Sequence, residues 1–205
     1  MFVPSRSFIL LGLAAGLLAW AASTASAYTA VTASAHPAAV AARTASCGSA
    51  VSRLADSSRG RVNMNAVNTT LDALGSKSRA ATSGRDAFER QSYKVVAQVV
   101  KYRADSAGLH FVLFEGTSYM LATLPSPACL PSYARARSVM VATRAWFLKN
   151  CGQASSSWKS LGAQMRVTGV GYWGAKNVSG GAPNGAELAP VYGMNPVAGC
   201  GAAGG

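Results

Sequence analysis

The chain has 205 residues and carries 19 Lys and Arg against 7 Asp and Glu, a formal net charge of +12. The basic residues are scattered, which excludes a polybasic arm, and acids this sparse disfavour a site built from clustered carboxylates. The positive surplus favours an anionic partner such as nucleic acid, anionic lipid or acidic glycan, and it is explained equally well by solubility.

The first 27 residues have the organisation of a secretory signal peptide. One positive charge precedes the apolar stretch Phe8 to Ala22, and Ala25-Ser26-Ala27 supplies small residues for cleavage. This stretch is shorter than the roughly 20 apolar residues of a membrane span. We therefore expect a secreted or periplasmic protein that begins at Tyr28, with an uncleaved anchor helix as the alternative.

The cysteines after this leader are Cys47, Cys129, Cys151 and Cys200. Export delivers them to an oxidising compartment, so we expect two disulfides. Of the three connectivities, we favour Cys129 with Cys151, which would bracket one helix, and Cys47 with Cys200. A zinc site is disfavoured because there is no C-x-x-C pair and the two histidines lie at no ligand spacing.

The region before the first strand is mostly polar. Residues 28 to 46 form an Ala- and Ser-rich segment without a periodic apolar face, typical of a flexible stretch. Residues 47 to 90 are interpreted as an N-terminal extension. Within it the V-x-x-x-L-x-x-L pattern from Val67 to Leu74, closed by Gly75, predicts a short helix.

Three strands are predicted next, from alternating apolar residues and turn signals. Tyr93 to Tyr102 alternates, with Tyr93, Val95, Ala97 and Val99 on one side and Lys94, Val96, Gln98, Val100 and Tyr102 on the other. Leu109 to Phe114 and Tyr119 to Leu124 are separated by Glu115-Gly116-Thr117-Ser118. Those two runs predict a hairpin.

A helix and two further strands follow. Ser132 is the expected N-cap of a helix whose apolar face holds Ala136, Val139, Met140, Thr143, Trp146 and Phe147. Met165 to Trp173 is the fourth strand, in which Gly169 and Gly171 indicate a bulge or bend. Glu187 to Tyr192 is the fifth, and Pro190 marks it as an edge or terminal strand.

This order predicts a mainly β fold over residues 91 to 192. Five strands with a helix between the third and fourth are the layout of a small oligonucleotide/oligosaccharide-binding (OB) barrel. Residues 193 to 205 are expected to form a Gly-rich tail.

Several segments together resemble a family of secreted bacterial proteins without an established function. They are His110-Phe111-Val112-Leu113, Pro125-Ser126-Pro127-Ala128-Cys129, Thr168-Gly169-Val170-Gly171-Tyr172-Trp173 and Ala182-Pro183-Asn184-Gly185-Ala186-Glu187-Leu188-Ala189-Pro190-Val191. The likeness runs from about Arg61 to Val191 and includes a piece from Val62 to Leu74. It supports export and the OB-like barrel.

The chain departs from that family at two places. Members usually carry His where this chain has Ala189, and an acidic residue and a His where it has Gly174-Ala175-Lys176. The resemblance therefore implies no reaction.

Catalysis finds little support in the residues. Only His110 is a plausible base, and its apolar strand favours a structural histidine, while oxidised cysteines are unavailable as nucleophiles. Arg166 and Glu187, on neighbouring strands, could form a weak or degenerate phosphodiesterase site, although a structural ion pair is the commoner outcome. The Gly180 to Gly185 segment reads as a turn, since no helix and no Lys-Ser/Thr follow it.

Binding is better supported than catalysis. The strand aromatics Tyr102, Tyr119, Tyr172 and Trp173 are interleaved with the cations Lys94, Lys101, Arg103, Arg166 and Lys176. Stacking beside a cationic groove is how such barrels hold single strands or sugars. The candidate ligand residues are Tyr172, Trp173, Arg166, Lys176, Asn184 and Glu187. The sequence thus predicts a non-enzymatic binding module for an anionic polymer or an envelope protein, with no cofactor and no metal.

Overall fold

The computed structural model describes residues 47–82 and 84–201. The predicted signal peptide and the Ala- and Ser-rich segment after it lie outside these residues. The helices are α1 (Gly48–Val51), α2 (Leu71–Gly75) and α3 (Arg137–Asn150). The strands are β1 (Asn63–Asn68), β2 (Gln91–Ala104), β3 (Gly108–Glu115), β4 (Ser118–Pro125), β5 (Lys159–Trp173) and β6 (Ala186–Ala198).

The fold is mainly β, and its strands form one six-stranded sheet in the order β1-β2-β3-β4-β6-β5. An additional pairing of β2 with β5 closes the last five of these strands into a ring, while β1 adds in parallel to β2 outside it. The sheet therefore has one strand more than the five predicted. Strand β1 was missed because its sequence, NMNAVN, has no clear apolar alternation.

Strand β2 shows the predicted alternation over its first half. Tyr93, Val95, Ala97 and Val99 are buried, whereas Val96 and Gln98 face solvent. The pairings of β2 with both β3 and β5 shift in register between Val99 and Lys101. This bulge inserts one residue and reverses the sides of the residues that follow.

The bulge decides where Tyr102 points. The simple alternation placed Tyr102 opposite the buried set, and this is wrong, because the inserted residue turns it into the core. There its ring meets Phe147 of α3 edge-on with 5.1 Å between ring centroids. Phe111 of β3 packs on the same Phe147 ring at 5.0 Å, so the helix is fixed by two aromatic contacts.

The hairpin follows the apolar pattern, and the long helix follows it in part, since Val139 of the predicted face is 48% exposed and Ala136 precedes the helix. Strands β3 and β4 pair antiparallel around Gly116 and Thr117. In α3 the buried positions are Met140, Thr143 and Phe147, at helical spacing. The helix begins at Arg137, however, and its first turn receives no side-chain cap, so the Ser132 cap is wrong.

Strand β6 lies between β4 and β5, so the expectation of an edge strand is also wrong. Its Pro190 is tolerated because the pairing of β5 with β6 is irregular around Gly169 and Gly171, as those glycines predicted. The strand also continues to Ala198, well into the segment expected to be a tail.

The N-terminal extension shares the core of the ring. Leu54, Val62, Leu71 and Leu74 are buried in the same apolar cluster as the strand residues. The extension therefore covers part of the sheet and is not an appendage. This matters for the candidate site, since covered strand residues are not available to a ligand.

The disulfides join Cys47 to Cys129 and Cys151 to Cys200, with Cα–Cα distances of 5.6 and 4.6 Å. The predicted pairing is wrong for a geometric reason. Helix α3 lies between Cys129 and Cys151, and 14 helical residues span about 21 Å. Disulfide Cα atoms lie within about 7 Å of each other. The bonds instead fix the start of the extension to the turn after β4, and the end of α3 to the end of β6.

Peptide mapping without reductant should recover these two pairs. Replacing Cys151 and Cys200 together by Ser should lower the free energy of unfolding by roughly 2–5 kcal/mol, measured by urea denaturation. Replacing Cys47 and Cys129 should cost a similar amount, because the sequence separations of 49 and 82 differ little on the logarithmic scale of loop entropy. A bond between Cys129 and Cys151 would contradict the structure.

Candidate functional site

Trp173 does not present a stacking surface. It is only 4% exposed, its ring centroid lies 4.5 Å from that of Phe88, and its indole N–H donates to Oδ2 of Asp86 at 2.7 Å. Burial opposes ionisation of Asp86, but this bond and amide N–H groups including that of Glu89 outweigh it and lower the pKa of Asp86. Trp173 is therefore a core residue that holds a buried carboxylate.

Tyr172 is half-covered by the N-terminal extension. The guanidinium of Arg53 lies over its ring at 5.0 Å, and its hydroxyl is 2.9 Å from Oγ of Ser49. Arg53 in turn forms an ion pair with Glu89 at 2.8 Å. The predicted aromatic pair of Tyr172 and Trp173 is thus engaged with the chain itself, because residues 47 to 90 cover this end of β5.

Arg166 and Glu187 are not brought together. In the pairing of β5 with β6, Arg166 lies opposite Asn195, whereas Glu187 lies opposite Tyr172. Six residues of strand separate the two positions, roughly 20 Å along β5. The predicted ion pair, and the phosphodiesterase site built on it, therefore do not form.

Asn184 and Lys176 belong to the loop between β5 and β6, residues 174–185. The side-chain amide of Asn184 donates to the carbonyl oxygens of Leu74 and Lys77 at 3.0 and 2.9 Å, which ties the loop to the end of α2. Lys176 is exposed to solvent. Asn184 is therefore an anchor of the loop, and Lys176 remains a candidate ligand residue.

Glu187 is a partly enclosed carboxyl under this loop. Gly174 lies so close that a Cβ there would collide with the Glu187 carboxyl group, so a larger residue at this position would require the Glu187 side chain to move. Burial raises the pKa of Glu187 from 4.5 to about 7. The group is therefore protonated under mildly acidic conditions and ionised above neutrality.

A different surface brings cations and aromatic rings together. Because of the bulge in β2, Lys101 and Arg103 face outward, and their charged groups lie 5.1 and 5.3 Å from the ring centroid of Trp158. Trp158 is 41% exposed and stands just before β5. Sequence reasoning had included Lys101 and Arg103 among the cations but missed Trp158, whose only signal is a lone large aromatic residue after a Ser-rich loop.

Lys101 also lines a cleft of about 310 Å³, which we call the loop cleft. Its lining residues are Val100, Lys101, Val112, Tyr119, Ser179 and Gly180. Tyr119 is 43% exposed, and the loop between β5 and β6 forms one wall. We name Lys101, Arg103 and Trp158 the basic-aromatic face, and Lys101 connects this face with the loop cleft.

His110 stands beside this face in a polar array. Its Nε2 is 2.8 Å from Oδ2 of Asp105, and its Nδ1 is 3.2 Å from Oγ1 of Thr123. Burial opposes ionisation of Asp105, but contact with His110 and the amides of Gly108 and Ala107 outweigh it and lower the pKa of Asp105. Thr123 is only 6% exposed, and both ring nitrogens face groups of the protein itself, so the array holds the three side chains together.

Within residues 47–82 and 84–201, no three His, Cys, Asp or Glu side chains converge as they would around a metal ion. In that same part of the chain, no helix is long and apolar enough to cross a membrane.

Comparison with known proteins leaves the family open. No protein-family model matches the chain, and no curated protein matches it significantly. Among solved structures, it is similar to a protein described as a putative aspartyl-tRNA synthetase from Leishmania major Friedlin, with 12% identity and a TM-score of 0.42. That match covers 67% of this chain and 22% of the other.

We expect the environment of Glu187 to make stability depend on pH. A carboxyl whose pKa is 4.5 unfolded and about 7 folded holds its proton more tightly in the native state, so stability falls as pH rises from 4.5 to about 7. Glu187→Gln should remove this part of the slope. Above pH 7 the free energy of unfolding of the variant should exceed that of the wild type by on the order of 2 kcal/mol, a figure already discounted for solvent access. Urea denaturation at several pH values between 4.5 and 8 measures this difference. Identical slopes in both proteins would contradict the enclosed carboxyl.

Proposed function

We propose that this protein is an exported, non-enzymatic binding module of OB-like architecture that holds an anionic polymer on its basic-aromatic face. The observation that carries the proposal is the packing of Lys101 and Arg103 against the half-exposed ring of Trp158. Cations stacked on an exposed aromatic ring combine a charged site with a flat apolar one, as proteins that bind flexible anionic chains do.

The ring of strands supports the proposal that the architecture is OB-like. Around the ring the strands follow the order β2, β3, β4, β6, β5 and back to β2. If β2 is counted as the first strand, this is the order 1-2-3-5-4-1, and α3 lies between the third and fourth strands in sequence. This is the arrangement expected of an OB barrel, to which β1 adds an extra strand. In such barrels ligands lie across the second and third strands, beside the loop between the fourth and fifth. The loop cleft, with Val112, Tyr119 and Ser179, occupies the corresponding place.

The distribution of acidic residues supports the proposal that the ligand is anionic. Asp56 pairs with Arg85 and Glu89 with Arg53, which places two acids in the network of the extension, away from the basic-aromatic face. Near the face, Asp105 lies 3.9 Å from Arg103 but contacts His110 at 2.8 Å. Lys101 therefore retains a charge that an anionic ligand can use, and attraction of this kind weakens as salt rises.

Export rests on the leader sequence and fits the two disulfides, which persist in oxidising compartments. A nuclease-like activity, the alternative predicted from the sequence, has no supporting observation, since Glu187 of β6 pairs with Tyr172, six residues along β5 from Arg166.

Binding to an oligonucleotide and to heparin across a salt series tests the proposal. The double variant Lys101→Gln, Arg103→Gln should bind both polymers more weakly, and the slope of log K against log salt should shrink by about 0.7 for each lost contact with a single strand. Arg90→Gln is the control for a cation elsewhere, because Arg90 is exposed and lies immediately before β2, eleven residues from Lys101 along the chain.

An equal loss of affinity for each charge removed, in the double variant and in the Arg90 control, would show a diffuse charge effect and contradict the proposed face. Absence of salt-dependent binding to either polymer by the wild-type protein would overturn the proposed function itself.

A further inference from the structure

Four outward side chains lie side by side across four neighbouring strands. Gln164 of β5 pairs with Gln98 of β2, Gln98 pairs with Phe114 of β3, and Phe114 pairs with Tyr119 of β4. At about 4.8 Å between strands, this row is roughly 14 Å long. We call it the transverse row.

The transverse row borders a groove. A depression of about 450 Å³, the outer groove, is lined by Gln98, Phe114 and Gln164 together with Val96, Ala97, Glu115, Gly116 and Gly162. The ring centroids of Phe114 and Tyr119 lie 4.7 Å apart with their planes tilted by 38°, so Phe114 supports the exposed ring of Tyr119 at one end of the row. The amide of Gln98 donates to the carbonyl of Gly162 at 3.1 Å, which orients the Gln98 side chain between Phe114 and Gln164.

Cations flank the row on both sides along the strands. Arg166 stands two residues beyond Gln164 on β5, is exposed, and pairs with Val96. Lys101 stands on the opposite side, past the bulge that follows Gln98 on β2. The row itself is uncharged. Glu115 is the carboxylate that lines the groove, and its Oε2 accepts the N–H of Leu71 at 2.6 Å, which holds it toward α2.

We infer that the transverse row is a subsite for single-stranded nucleic acid, in which a base stacks on Tyr119, supported from behind by Phe114, while Lys101 and Arg166 contact the phosphates on either side. This inference rests on the proposed function and names its ligand class. Gln98 and Gln164 can both donate to and accept from base edges.

The separation of neutral and charged groups favours nucleic acid over an acidic glycan. A nucleic acid strand divides into flat uncharged bases and a charged backbone, and stacking on aromatic side chains uses the π-face that every base has. Acidic glycans carry their charges on the sugar rings themselves. A sugar placed on the uncharged row would bring its charge onto Phe114 and the two amides, away from Lys101 and Arg166.

Competition between two polymers tests the subsite. Tyr119→Leu keeps an apolar side chain but removes the π-face, so affinity for a fluorescent oligothymidylate should fall by roughly 5- to 100-fold, as for the loss of one base stack. Affinity for heparin should stay within about twofold. Tyr133→Leu is the matched control, because Tyr133 is 61% exposed but lies beside Arg59, outside both grooves, and it should change neither affinity.

The outcomes separate this inference from the proposed function. If Tyr119→Leu leaves oligothymidylate binding intact while the Lys101 and Arg103 double variant weakens it, the subsite is overturned and the basic-aromatic face stands. If Tyr119→Leu weakens heparin as much as oligothymidylate, the assignment to nucleic acid is overturned. If the wild-type protein binds neither polymer, both proposals fall.

Discussion

Strand β2 holds the fold together because it pairs with three other strands. One of its edges is paired with β5 along most of its length, and the other is shared, first by β1 near Lys94 and then by β3 from Gln98 onward. A strand in this position must bend to close a small ring, and the bulge between Val99 and Lys101 allows it to do so. The same bulge sends Tyr102 inward to Phe147 and leaves Lys101 and Arg103 outside. Closure of the core and exposure of the cations therefore have one local cause.

Local patterns predicted what depends on neighbours in sequence. The alternation of Tyr93 to Val99, the hairpin around Gly116 and the helical face of Met140 and Phe147 all require only residues close along the chain, and the structure contains each. The bulge in β2 could not be read from its apolar residues, because Val100 and Val99 look alike in sequence. The disulfide partners and the cover over Tyr172 depend on contacts between residues far apart in sequence, such as Arg53 with Tyr172. Trp158 is the residue of the basic-aromatic face that the sequence interpretation omitted, although a lone large aromatic residue after a Ser-rich loop is visible in the sequence.

The glycines of the Thr168 to Trp173 segment have structural reasons. A Cβ on Gly171 would collide with the backbone and ring of Phe88, so the close approach of the extension to β5 requires glycine there. Phe88 in turn packs on Trp173, whose indole holds Asp86. The short motif that sequence reasoning took as a sign of a family is thus, in this chain, the place where the extension docks on the sheet. Membership of that family stays a prediction.

The loop between β5 and β6 connects this docked extension to the loop cleft. At one end Asn184 binds the carbonyls of Leu74 and Lys77, and at the other Gly174 rests on the Glu187 carboxyl. Between them Gly180 lies against Val112, which faces outward from β3 and yet is buried. The loop therefore both covers an apolar strip and supplies a wall of the loop cleft. Because the wall is fixed to α2 on one side and to an enclosed carboxyl on the other, the shape of the cleft depends on the extension as well as on the strands that line it.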